Sequence, residues 1–352
     1  MLFSRREFCK GQVIAASGAG FGALALQSML EGDRQIYADD KLGIASPMAP
    51  KAPMLKAQAK SVIFLFMFGG PSQLDLFDYK PELQKRDGQE IDNEFRKGTK
   101  TKAVLQASRR VFRQHGESGL WCSDAFPNIA KHMDKLAVIK SLTSDSFAHG
   151  SALLQINSGR TLQGHPSLGS WVTYGLGSEN ENLPGFVVML DPRGGPTSGA
   201  PNWSSGYMPA AYQGTLIRTS SQPILHLQPP SGTDRAGQRS EIDLINQLNA
   251  MHAESRPASS ELAARIASYE LAFQLQMAAP EAMDLSDETE ETISMYGIRE
   301  PKPDWHPLAL GPSTFGRQCL IARRLVERGV RFIQIYSGGG NAGGQNTWDG
   351  HH

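Results

Sequence analysis

The chain predicts an α/β fold in which short apolar strands alternate with helices around a parallel, doubly wound sheet. Val62 to Phe68 is an unbroken apolar run rich in β-branched and aromatic residues, too short for a membrane span and stopped by Gly69-Gly70-Pro71. Ser313 to Arg328 carries apolar residues at helical spacing and ends at Gly329, and Val330 to Tyr336 then repeats the strand-then-glycine pattern. Between these two strands the same alternation recurs on a smaller scale.

Residues 1–38 are set apart first. Ser4-Arg5-Arg6-Glu7-Phe8-Cys9-Lys10 matches the twin-arginine export pattern S-R-R-x-F-x-K, and Gly11 to Leu30 follows as a weakly apolar Gly/Ala/Ser-rich segment. Ile36-Tyr37-Ala38 suits cleavage before Asp39. The expected partner is the twin-arginine export machinery and the expected location periplasmic or extracellular, with no stable membrane span in the mature form. Residues 39–60, with prolines at 47, 50 and 53, read as a linker.

The α/β domain is expected over 61–352. Val62 to Phe68 reads as a strand buried on both faces. Lys85 to Gly119 is polar and locally basic, fitting a solvated loop or the lining of an anionic-substrate cleft. Ser123 to Lys135 predicts a helix with Phe126, Ile129, Ala130 and Met133 on one side, and Leu136 to Ser141 a short strand. A helix starts near Gly150, another spans Leu168 to Leu176, and Gly185 to Leu190 is a strand. A loop-rich and helical insertion is expected over about 191–300, first with Trp203, Tyr207 and Tyr212 among glycines and prolines. That loop suits a lid or an ordered surface excursion. Then come two helices, with Ile242, Ile245, Leu248 and Met251 on the apolar side of one and Leu262, Ile266, Tyr269 and Phe273 on the other. The acidic run Asp284 to Glu291 reads as a solvated helix start.

Composition removes several function classes. Lys and Arg number 35 against 35 Asp and Glu, and the balance stays near neutral without residues 1–38, so no nucleic acid or anionic membrane partner is indicated. Only Cys122 and Cys319 remain beyond the leader, which excludes a disulfide scaffold, and Cys319 reads as a buried thiol on the apolar side of its helix.

Ligands of open α/β sheets bind beyond the carboxyl ends of the strands, where the chain delivers Ser72, Asp75 and Asp78. Two carboxylates three residues apart suit a shared cation; equally, Ser72 and Asp75 cap the next turn and Asp78 pairs with Lys80. Thr143 to His149 precedes a helix, whose N-terminus seats an anionic oxygen, or Ser146 or Ser151 simply caps it. After the last strand, Asp349 with His351 and His352 has the donor chemistry of a zinc-type site. Ser337 to Gly340 is no Walker loop, because no Lys-Ser or Lys-Thr follows.

At these residues the chain resembles a known family over nearly its full length. The twin-arginine start, G-G-P-S-x-x-D-x-x-D-x-K-P at 69–81, H-G-S-A-L-L-Q-x-x-S-G-R at 149–160, N-L-P-G-F-V at 182–187, F-G-R-Q-C-L-x-A-R-R-L-V-E-R-G-V-R-F at 315–332 and the closing W-D-G-H are similar to the exported bacterial proteins of domain-of-unknown-function family 1501. That family is grouped with the alkaline phosphatases and sulfatases. The resemblance implies a three-layer α/β/α fold and a metal-dependent hydrolase of a small-molecule or glycan ester, sulfate or phosphate. It also implies a divalent cation (zinc, calcium or magnesium) held by Asp75, Asp349 and His351.

The resemblance carries departures. Gly69 and Gly70 stand where the superfamily places a metal-binding aspartate, leaving Asp75 as the nearest substitute. The nucleophile position, ten residues before Gly159, is His149, with Ser151 and Ser146 as neighbouring hydroxyls. The W-D-x-H element lies mid-chain in relatives, so the C-terminal part of the sheet is expected to be missing from the sequence as given. Catalytic roles are therefore expected at His149 and Ser151, the alternative being an exported binding protein that keeps the fold without the nucleophile.

Overall fold

The structure is a computed structural model and describes residues 47–96, 98–218, 234–254, 260–301, 311–338 and 348. In chain order the elements begin with strand β1 (Val62–Met67), helix α1 (Pro81–Lys85) and the strands β2 (Glu90–Arg96), β3 (Thr99–Val104), β4 (Phe112–His115) and β5 (Leu120–Ser123). Helices α2 (Pro127–Ala130), α3 (His149–Ser158) and α4 (Leu168–Leu176) lead to strands β6 (Phe186–Met189) and β7 (Thr215–Ile217). Helices α5 (Arg235–Glu254), α6 (Ser260–Met283), α7 (Glu290–Met295) and α8 (Gly311–Glu327) precede strand β8 (Phe332–Ser337).

Four of these strands form one parallel sheet in the order β1-β8-β6-β7. The last strand runs between the first and the sixth, with Val62 opposite Phe332 and Phe186 opposite the same residue on its other side. Alternation then divides the side chains. Val187, Met189, Ile333 and Ile335 face one core with Leu275, Ala279, Ala282, Ile321 and Leu325 of α6 and α8. Phe186, Val188, Phe332 and Tyr336 face the other, with Phe66, Phe68, Trp203 and Leu153 of α3. Helices therefore cover both faces, the mixed α/β architecture expected from the sequence.

Among the described residues β1 lies at the edge of the sheet, which corrects one expectation. The strand is not buried on both faces: Ile63 and Leu65 are 42% and 48% exposed, while Phe66 and Phe68 are buried on the opposite side. An apolar run signals burial of whichever face finds a partner, and β1 finds a strand on one side and packing on one face.

The polar stretch 85–119 also departs from a plain loop. It folds as two antiparallel hairpins, β2 with β3 and β4 with β5. The turn of the second is pinned by Asp134, which accepts from Ser118 N at 2.7 Å and Glu117 N at 3.1 Å. These two amides, Ser118 first, hold its carboxyl below the usual aspartate range. The long helix expected over 123–135 is instead α2 followed by a 3-10 turn at Met133–Lys135. Ala130 and Met133 are buried as expected and Ile129 is exposed.

Residues 136–141 form no strand. Ile139 lies exposed and the sheet places no partner beside the run, so its β-branched residues have no ladder to join. Helices α3 and α4 and strands β6 and β8 fall where the sequence puts them, α3 ending at left-handed Gly159. The three-residue strand β7 was not signalled.

Helix α5 reverses its expected face. Ile245, Leu248 and Met251 point to water. It meets α6 instead through Arg239, which donates to Glu270 at 2.8 and 3.0 Å and lies 5.0 Å over the Phe273 ring. The contact is thus made by a partly exposed ion pair, and Ile245, Leu248 and Met251 take the solvent side.

Candidate functional site

The carboxyl ends of β1, β8 and β6 lie side by side, and the loops that leave them carry the candidate residues. Beyond β1, Asp75 sits in a 3-10 turn. Its Oδ1 accepts from Ser108 Oγ at 2.5 Å. Hydrogen bonds from Ser108, then from Ser72, and the nearby Arg110 charge hold its carboxyl below the usual aspartate range. Asp78 pairs with Lys80 at 2.8 Å and lies 3.8 Å from Lys140. The expected Asp78–Lys80 pair is thus present, whereas Ser72 stands at the start of the turn without a side-chain capping hydrogen bond.

His149 and Ser151 occupy the first turn of α3, both half-buried. No side chain caps the helix from Ala148. Ser151 Oγ lies 2.7 Å from Ser146 Oγ and 3.4 Å from the Ala148 carbonyl, to which it donates. First-turn amides have no helical carbonyl to bond, and the dipole end is positive, so the position suits an anionic oxygen.

The loop leaving β6 meets this turn. Ser198 Oγ donates to the Gly150 carbonyl at 2.9 Å. At the other end of the same loop Asp191 accepts from Arg193 Nε at 3.0 Å and Nη2 at 2.8 Å, and from Gly338 N at 3.3 Å. Asp191 therefore ties the end of β6 to the end of β8. The ion pair keeps the Arg193 guanidinium firmly protonated, its pKa raised chiefly by the hydrogen bond to Asp191. Sequence reading missed Asp191, although it follows the apolar run 186–190 just as Asp75 follows the first strand.

Asp349 and His351 lie outside the described residues, but their neighbour does not. The space a side chain at Gly338 would need is filled by the Trp348 indole, 2.6 Å from an ideal Cβ, and by the Phe68 carbonyl oxygen at 3.0 Å. Phe126 stands between Trp348 at 6.5 Å and Phe77 at 5.6 Å, linking the element after β1 to the residue before Asp349.

Beneath the strand ends lies a buried polar network. Asn157 Oδ1 accepts from Gln334 Nε2 at 2.6 Å and from the Tyr336 hydroxyl at 3.3 Å, while its Nδ2 donates to Leu153 O at 2.8 Å and Asn202 Oδ1 at 3.2 Å. It locks α3 onto β8 and the 3-10 turn Ala200–Trp203. Burial pushes the Tyr336 hydroxyl far above its ordinary pKa, so it stays protonated and donates. Sequence reading could not reach this network, because each member looks like an ordinary polar residue until the elements meet.

Among the described residues no three His, Cys, Asp or Glu side chains cluster as a metal site. Cys122 and Cys319 are free thiols, the latter pushed up to about 11 by burial, and no described helix is long and apolar enough to cross a membrane.

Fold and loops together define a parallel α/β protein with polar loops gathered at the carboxyl edge of its sheet. A family model described as a protein of unknown function (DUF1501) matches residues 59–352, and the chain belongs to that family. No curated protein and no solved structure matches it.

Proposed function

We propose that this protein is an exported, metal-dependent hydrolase of a sulfate or phosphate ester, on an alkaline-phosphatase-like three-layer version of the observed α/β fold. The observation that carries the reading is the seat of Trp348 against Gly338 and the Phe68 carbonyl. It fixes the residue before Asp349 beyond the adjacent ends of β1 and β8, where such sheets bind ligands.

Asp349, His351 and Asp75 have the donor chemistry of a divalent-cation site. Asp75 fits it only once its hydrogen bond from Ser108 is released. A cation held there supplies Lewis-acid stabilisation of charge on the transferred group. His149 at the opening of α3 takes or holds the proton exchanged with the ester, and the first-turn amides with Ser151 orient the anionic oxygens. Nucleophilic attack by Ser151 requires its hydroxyl to leave Ser146 and the Ala148 carbonyl.

Those same two hydrogen bonds favour a second reading, an exported binding protein that keeps the cleft without turnover. Elemental analysis tests the metal site, and turnover by the metal-loaded exported protein separates the two readings. A bound divalent cation that Asp349→Ala loses is the expected result, and unchanged metal content in that variant would sink the assignment. Metal-loaded protein inert towards aryl sulfates and aryl phosphates would favour the binding reading.

A further inference from the structure

A row of aromatic rings runs from the core to the surface. Tyr212 is buried and meets Tyr174 edge-on at 5.3 Å; Tyr174 meets Trp171 at 6.2 Å, Trp171 meets Tyr207 at 6.3 Å, and Tyr207 meets His165 at 6.0 Å. Successive planes are close to perpendicular, between 76° and 87°. Exposure rises from Tyr212 to Tyr207, with Trp171 and Tyr207 40% and 66% exposed, and His165 at the end is half-buried. Large rings left in water by a fold that buries Phe68, Trp203 and Tyr212 call for an explanation.

The outer end of the row is rigid. Ser204 O accepts from Ser167 N and from Ser170 Oγ, each at 3.0 Å, fixing the 203–208 turn to the start of α4. Gly206 has φ +57°, and a side chain there would run into the His165–Pro166 backbone, so the turn packs directly on His165. Tyr207 is thereby presented without the ordering cost of a mobile loop. At the inner end Lys51 lies 5.0 Å over Tyr174 and donates to its carbonyl at 2.7 Å.

Charge sets the partner's class. Residues 161–178 and 194–217, which supply all the rings of the row, contain no Asp, Glu, Lys or Arg, in a chain where charged residues make up 20%. Such a surface offers ring faces with hydroxyl, indole N–H and imidazole groups at their rims, and among the described residues the one cation placed over the row, Lys51, stands at its inner end over Tyr174 and Tyr212. It matches an uncharged ligand that itself carries apolar C–H faces bordered by hydroxyls. We propose that His165, Trp171 and Tyr207 form a binding platform for a neutral glycan, whose sugar rings stack on Trp171 and Tyr207. The proposal stands whether or not the ester site is catalytic.

Affinity electrophoresis of the exported protein through gels containing a β-glucan, a galactomannan or an arabinoxylan tests this, with a sulfated galactan as the anionic comparison. At least one neutral polysaccharide is expected to retard the wild type, equally in high salt and with a chelator present. Tyr207→Ala is expected to weaken that retardation about tenfold, the scale of one aromatic contact. Tyr207 is two-thirds exposed, so this variant keeps its fold, checked by circular dichroism, even where Trp171→Ala does not. Retardation by the sulfated polymer alone, by none of the four, or unchanged in Tyr207→Ala would overturn the platform. So would a sedimentation shift of the glycan-free protein on Tyr207→Ala, which would make the row a contact between copies. Chelator-sensitive retardation would assign the glycan to the ester site instead.

Discussion

Asn157 shows how much one side chain decides. It uses both ends of its amide to join α3, β8 and the Ala200–Trp203 turn, and all its partners are buried. Asn157→Ala would leave the Gln334 amide and Asn202 Oδ1 short of a partner, and the Tyr336 hydroxyl with only a 3.5 Å contact to the Asn202 backbone carbonyl, in a buried site. Each buried polar group left unpaired costs about 1–3 kcal/mol, so a loss of about 3 kcal/mol is expected in urea unfolding. A loss below about 0.5 kcal/mol would mean the network is not stabilising as a unit. At this scale the sequence is readable where a residue acts through its neighbours in the chain. Asp78 with Lys80 and Gly159 closing α3 are such cases. It is silent for Asn157 and Gln334, which lie far apart along the chain and signal nothing until β8 is placed.

Elements were legible in proportion to how strongly their pattern fixes a partner. Helix α8 and strand β8 read directly, because one face of α8 and both faces of β8 are buried. Helix α5 misled, since Arg239 overrides the apolar periodicity at its contact with α6. The acidic run Asp284 to Glu291 misled in part: Thr289 caps α7 by accepting from Thr292 N, yet the Glu288 side chain is only 8% exposed.

Glu288 accepts from Arg324 Nη1 at 2.6 Å and from Arg323 Nη2 at 2.6 Å, clamping the segment after α6 to α8. Arg324 is itself buried and also donates to the Ala282 carbonyl at 3.1 Å. Arg324 first, then Arg323, holds the Glu288 carboxyl below its ordinary value of 4.5. The folded state therefore binds this proton less readily than the unfolded chain. The stabilisation is complete above the ordinary glutamate value and fades as pH falls through the lower folded value. Glu288→Gln should lose about 3 kcal/mol at neutral pH, because Arg324 keeps its buried charge with carbonyl acceptors but no countercharge. Denaturant midpoints measured downward from pH 7 should then converge for the two proteins in acid. Parallel curves would show that the clamp does not titrate as a pair.

For the whole molecule, the alternation of strand and helix was enough to give a parallel sheet covered by helices, but not the order of its strands. The run at 62–68 implied a central strand, and pairing with β8 places it at the edge of the sheet formed by the described residues. Sequence pattern reports how apolar a strand is; only the assembled sheet decides whether one face or two can be covered. The consequence is an edge whose outward amides and whose Ile63 and Leu65 side chains form a template for unwanted pairing. Leu65→Lys is expected to change stability by no more than about 0.5 kcal/mol, because the side chain already stands half in water. It should at the same time reduce concentration-dependent light scattering, since a lysine on an exposed edge opposes strand addition. A loss of about 2 kcal/mol or more would mean that this face is covered in the folded protein, and β1 would then have to be an interior strand. Loss of scattering at unchanged stability would instead confirm the open edge and make β1 the place where the sheet is most readily extended.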